Sequence, residues 1–222
     1  MKTNLFALVA VFSMLISCSR SEDIAIEQTT EEIPFFNLKV GNEWVYKTYD
    51  RQDSTTELKF NGKIDTLKII QKVTLNNKEY SKVLHSYKYN SNPNYEYWRV
   101  NNKGHLVLLP SYYFDQGIST DNLEIVKHAC TDYNYSYTDS GFNNYGNITY
   151  KLYPKTTITM NNQTYNVSPY KGYFVPNAQN PNLLPKVVEF NYKENIGLIK
   201  SVCHSVEGTY NFEEHLVSYV LK

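Results

Sequence analysis

From Gly41 onward, apolar and polar residues alternate with a period of two, in short runs broken by Gly, Asn and Pro. Such alternation marks strands with one buried face. Over 43–47, Trp44 and Tyr46 share one face, while Glu43, Val45 and Lys47 share the other. A short strand is predicted at 57–60 and a long one at 64–75, with Leu67, Ile69, Val73 and Leu75 on one side. Asn76-Asn77 then turns the chain, because Asn tolerates positive φ, and the return strand carries Val83, His85, Tyr87 and Tyr89 on one face. Further strands are predicted at 95–100, 105–109, 123–130, 133–138, 148–153, 156–160, 188–192, 196–204 and 212–221. The strands at 123–130 and 133–138 are expected to pair with each other. No segment shows a helical period. The pattern predicts an all-β, mostly antiparallel meander of more than ten strands. Such a count curls into a curved sheet, half-barrel or barrel, or splits into a β-sandwich.

Three stretches interrupt the alternation. Residues 110–122 are irregular and aromatic, 140–147 are rich in Gly and Asn, and 168–185 carry four Pro. The last is expected to be a long loop, and loops of that length in a compact domain tend to be functional. One hairpin motif occurs twice: the Asn76-Asn77 turn with Tyr80 behind it is echoed by Asn161-Asn162 with Tyr165. Two copies do not make a repeat array.

Composition agrees with the strand reading, since Tyr is abundant at 21 copies and favours strands. Net charge is zero, with 22 basic and 22 acidic residues, so nothing in the totals draws nucleic acid. Cys130 and Cys203 are expected to pair as a disulfide if the chain is exported.

The N-terminus suggests that it is. One Lys precedes an apolar run that ends at Leu15-Ile16-Ser17-Cys18. The run is too short to span a bilayer, which takes about 20 residues, and reads as a signal segment. The four residues resemble the lipobox of bacterial lipoproteins, which implies cleavage before Cys18 and acylation of its thiol. Two or more acyl chains give a stable membrane anchor without a spanning helix. The expected organisation is a signal peptide over 1–17, a flexible polar tether over 18–33, and one all-β domain over 34–222. Acidic residues close behind Cys18 resemble the surface-export signal of Bacteroidota lipoproteins. The segment around Lys39-Val40-Gly41-Asn42, with Trp44 and Tyr46, resembles the start of small Bacteroidota lipoproteins of uncharacterised function. Asn195-Ile196-Gly197-Leu198-Ile199-Lys200 and the strand after it resemble their ending. Asp53-Ser54-Thr55 and Asp65-Thr66-Leu67 resemble the Bacteroidota O-glycosylation sequon, which would modify Ser54 and Thr66.

No catalytic motif stands out: the chain lacks a His-Glu-x-x-His pair, a Gly-x-Ser-x-Gly elbow and a phosphate loop. His128, Cys130, Cys203 and His204 are zinc-type ligands. Cys203 and His204 are neighbours on a strand and point to opposite faces, so no metal or other cofactor is expected. Tyr112, Tyr113, Tyr170 and Tyr173 lie near predicted loops and are candidate binding aromatics. The leading expectation is a non-catalytic lipoprotein at the outer membrane, facing the cell surface or the periplasm, that binds a glycan, peptide or partner protein. A periplasmic carrier or envelope-assembly factor holding an apolar ligand inside the sheet is the alternative, and a hydrolase is a distant third.

Overall fold

The computed structural model describes residues 35–52, 54–87, 94–139, 145–205 and 208–222. The signal segment, Cys18 and the tether lie outside these residues. Residues Ile33–Lys222 form one compact unit.

Thirteen strands are present among the described residues: β1 (Glu43–Gln52), β2 (Lys59–Leu75), β3 (Lys78–Tyr87), β4 (Asn94–Val100), β5 (Leu106–Pro110), β6 (Ile125–His128), β7 (Ser136–Asp139), β8 (Gly146–Leu152), β9 (Thr156–Met160), β10 (Gln163–Pro176), β11 (Lys186–Lys193), β12 (Gly197–His204) and β13 (Tyr210–Val220). One short helix, α1 (Ser111–Asp115), and a 3-10 turn at Asp121–Leu123 fill the aromatic stretch after β5. The order across the sheet is β6-β5-β4-β3-β2-β1-β13-β12-β11-β10-β8-β7, with β9 attached to β10. All pairings are antiparallel. The result is a curved half-barrel meander that does not close.

Local chemistry explains the pieces. In β1 the alternation buries Trp44, Tyr46 and Thr48 on one face. The two Asn-Asn turns adopt the left-handed backbone, with φ of 50° and 62° at Asn76 and Asn77 and 50° and 61° at Asn161 and Asn162. Two such residues in succession match the twist of a two-residue hairpin. The predicted strands at 57–60 and 64–75 merge into the single β2.

Three expectations are corrected. The strands near 123–130 and 133–138 do not pair with each other: β6 pairs with β5, and β7 with β8. A turn over 129–135 separates them, and each becomes an edge of the sheet. The first half of the 168–185 stretch is strand, because β10 runs to Pro176, and only the half beyond it is loop. The Cys130–Cys203 disulfide is absent, and both thiols are free. Cys130 sits at φ 57° in the turn after β6, whereas Cys203 pairs with Phe212 between β12 and β13. The two residues lie on different kinds of element, a turn and a strand within the sheet, and neither sulfur is bonded to the other. Burial raises both thiol pKa values, that of Cys203 to about 11, so neither is an activated nucleophile.

Candidate functional site

The inward-facing residues of β1–β6 and β11–β13 surround a cavity of about 240 Å³. Its walls are aromatic and aliphatic, led by Phe36, Trp44, Trp98, Leu106 and Tyr192. Trp44 and Trp98 are the only tryptophans in the chain. The Trp44 indole N–H donates to the Ile196 carbonyl at 2.5 Å, and the Tyr46 hydroxyl to the Leu198 carbonyl at 3.0 Å. These bonds satisfy both polar tips and tie β1 to the start of β12 and the turn before it.

A charged group sits within this apolar lining. It comprises Asp65 on β2, His85 on β3, Glu96 on β4, Lys127 on β6 and Glu214 on β13. Register brings the first three together, since Leu67 is opposite His85 and Val83 is opposite Glu96. Residues two apart share a face, so Asp65, His85 and Glu96 become diagonal neighbours. Lys127 enters differently. Leu106 pairs with His128 but Val107 with Val126, which leaves Lys127 as the extra residue of a bulge. A bulge re-aims a side chain that strict alternation would send elsewhere.

His85 Nδ1 lies 3.3 Å from Asp65 Oδ2, and Nε2 lies 3.3 Å from Glu96 Oε2. The Trp98 indole N–H donates to Glu96 Oε2 at 2.6 Å, and Lys127 Nζ donates to the same oxygen at 3.3 Å. Lys127 Nζ also stands 4.6 Å from the centre of the Trp98 ring. Ser201 Oγ donates to Glu214 Oε2 at 3.1 Å. Asp65 Oδ1 is buried and has no hydrogen-bond partner. Burial acts to lower the His85 pKa, but its bonds to Asp65 and Glu96 prevail and raise it to about 9. Burial acts to raise that of Glu96, but Lys127 and His85 hold it well below the usual carboxylate range. His85 is therefore an imidazolium at neutral pH, with no lone pair to accept a proton. It acts as a charge and a hydrogen-bond donor, not as a general base.

Linkage gives this pair a pH signature. The folded His85 pKa of about 9 lies above its ordinary value of about 6.5. The stabilisation is therefore complete below about 6.5 and lost as pH rises through about 9. Thermal melts from neutral to alkaline pH are expected to fall more steeply for the native chain than for His85→Gln. Parallel curves would place the charge elsewhere.

The other sequence-derived candidates are scattered. Tyr112, on α1, is 65% exposed. Tyr113 packs against the small core cluster of Tyr80, Tyr97 and Leu109. Tyr173 is 38% exposed, whereas Tyr170 is 1% exposed and belongs to the core. Tyr170 is thus removed from any binding surface: alternation along β10 sends it to the inner face, opposite Phe190. Ser54 is exposed, and Thr66 is half-buried within β2. His128 uses both ring nitrogens on backbone: Nε2 donates to the Ser168 carbonyl at 3.1 Å, and Nδ1 accepts from the Cys130 N–H at 2.9 Å. Burial lowers its pKa to about 4, so it is neutral. Among the described residues, no cluster of three or more His, Cys, Asp or Glu could hold a metal ion.

No protein-family model matches the sequence, and no curated protein does. Two solved structures show a distant likeness. One is a protein assigned as a lipoprotein of Parabacteroides distasonis, with 14% identity, 84% of this chain and 98% of that chain covered, and a TM-score of 0.49. The other is a protein assigned as exported in Bacteroides fragilis, with a YmcC-like fold, 11% identity, the same coverages of 84% and 98%, and a TM-score of 0.48. At that level of similarity neither lends this chain a role.

Sequence reasoning placed Trp44, Tyr46 and His85 on strand faces but did not join them into a site. Asp65, Glu96, Trp98 and Lys127 went unassigned as a group. The available signal was polar residues on the inward faces of apolar strands, as with His85 beside Val83.

Proposed function

We propose that this chain is an exported lipoprotein, anchored at the outer membrane through acylated Cys18, whose half-barrel holds a small ligand without transforming it. The observation that carries the ligand reading is the inner cavity, built by strands from both halves of the sheet and lined by both tryptophans. A concave, mostly apolar site with a few convergent polar groups is the usual form of a ligand pocket. The volume of about 240 Å³ lies just under the roughly 300–1,000 Å³ of sites for drug-sized molecules. That suits a small amphipathic ligand better than a two-chain lipid. The aromatic-surface reading is weaker, because Tyr170 is buried in one core cluster and Tyr113 packs against another. The anchor reading rests on Leu15-Ile16-Ser17-Cys18.

Intrinsic fluorescence tests the cavity directly, since both reporters line it. Titrating the mature domain with N-phenyl-naphthylamine is expected to quench tryptophan emission saturably, with energy transfer to the probe. A linear, unsaturable change would remove the cavity as a site. For the anchor, cells fed labelled palmitate are expected to label the native protein but not Cys18→Ser. Equal labelling, or none in either, would overturn acylation.

A further inference from the structure

The charges in the cavity do not balance. Asp65, Glu96 and Glu214 supply three carboxylates, against the two cations His85 and Lys127. Both cations are committed. His85 lies between Asp65 and Glu96, and Lys127 lies against Glu96 and the Trp98 ring. Glu96 is saturated by comparison, taking Trp98, Lys127 and His85 together. Asp65 shares its one cation with Glu96, and Glu214 has no cation within ion-pair distance among the lining residues. Asp65 is 4% exposed, and its Oδ1 is a buried acceptor with no partner. Leaving such an atom unbonded is costly, and native proteins seldom do so without a role for the site.

Resting on the reading that this cavity is a ligand site, we propose that it takes a small primary amine in its protonated form, with the ammonium group toward Asp65 and an apolar or aromatic tail against the tryptophans. Each alternative fails on one count. An anion meets the surplus carboxylate charge. A quaternary ammonium has no N–H for the Asp65 carboxylate. A neutral alcohol supplies the hydrogen bond but leaves the charge uncompensated. A primary ammonium supplies both the donor and the charge, and the surrounding aromatic rings favour a cation near their faces.

The test is a calorimetric titration of the mature domain at neutral pH with three ligands of one shape: phenethylamine, phenethyl alcohol and hydrocinnamate. The amine is expected to bind at least about tenfold more tightly than the alcohol, which corresponds to about 1.4 kcal/mol, and hydrocinnamate is expected not to bind. Asp65→Asn should bring the amine-to-alcohol ratio towards one. Because Asp65 also holds His85, Glu214→Gln serves as a second variant and is expected to narrow the same ratio. An alcohol that matches the amine, or a preference for hydrocinnamate, would overturn the amine assignment and leave the cavity as a ligand site. Absence of binding by all three, with N-phenyl-naphthylamine still titrating, overturns it in the same way. Loss of the naphthylamine titration as well would remove the site itself.

Discussion

Glu124→Ala is expected to lower unfolding stability by about 3–5 kcal/mol, the cost of breaking a buried ion pair from one side. At about 2–4 °C per kcal/mol for a chain of this size, the melting temperature should fall by roughly 10 °C. The Glu124 side chain is 3% exposed, and that of Arg99 is 14% exposed. Arg99 grips the carboxylate with two nitrogens, Nε at 2.7 Å from Oε1 and Nη2 at 2.7 Å from Oε2. The Tyr80 hydroxyl donates to Oε1 at 2.6 Å, and Lys78 Nζ lies at 3.6 Å. Removing the carboxylate leaves a mostly buried guanidinium with only the exposed Asp121, 3.4 Å from Nη2, as an acidic partner, and loosens the 111–124 segment on β3 and β4. Glu124→Gln keeps the shape and should cost less. Calorimetry on the three proteins checks the order, and a loss below about 1 kcal/mol for the alanine variant would show that the pair behaves as a solvated one.

Tyr170→Ala should cost a similar amount, about 3–5 kcal/mol, as large aromatic truncations in cores do. The Tyr170 ring stacks on Tyr150 at 5.6 Å and 18°, and meets the edge of His128 at 5.8 Å. Tyr112→Ala, at an exposed position on α1, should change stability by less than about 0.5 kcal/mol. Denaturant unfolding of the two variants side by side makes the comparison. Equal, small losses would mean that the Tyr170 pocket collapses around the gap. A binding assay on Tyr170→Ala would otherwise report unfolding rather than ligand contacts.

The fold was largely legible because its signals are local. Alternation in β1, the Asn-Asn turns and the glycine before β1 each specify their own conformation within a few residues. What misled was proline in β10. Pro169 pairs with Asn191 of β11 on one side. Its other side falls where β10 changes partner, since Val167 still pairs with β9 and Tyr170 already pairs with β8. The backbone there accepts a bond from the Tyr153 N–H at 2.8 Å through the Pro169 carbonyl. A missing N–H costs little at such a junction, so proline does not end the strand. The cavity was not legible for the opposite reason: its charged members come from five strands, and one of them depends on a bulge. Asp65, His85 and Glu96 meet only through a cross-strand register that no single segment encodes. Cys130 and Cys203 were paired on residue type and expected export, neither of which says where a turn and a strand place them.

The seam between β1 and β13 has a consequence for how the chain is made. Trp44 pairs with Tyr219, and the Lys222 N–H donates to Asn42 Oδ1 at 2.8 Å. During synthesis β1 emerges well before β13, so the middle of the sheet stays open until β13 has appeared. The two arms, β1 to β6 and β7 to β13, can each form hairpins by short-range contacts, but the cavity is lined by both and exists only after they join. Long-range pairing of this kind is slow. A nascent chain held open in that way has hairpins but no cavity, and the enclosed space appears only with the last pairing.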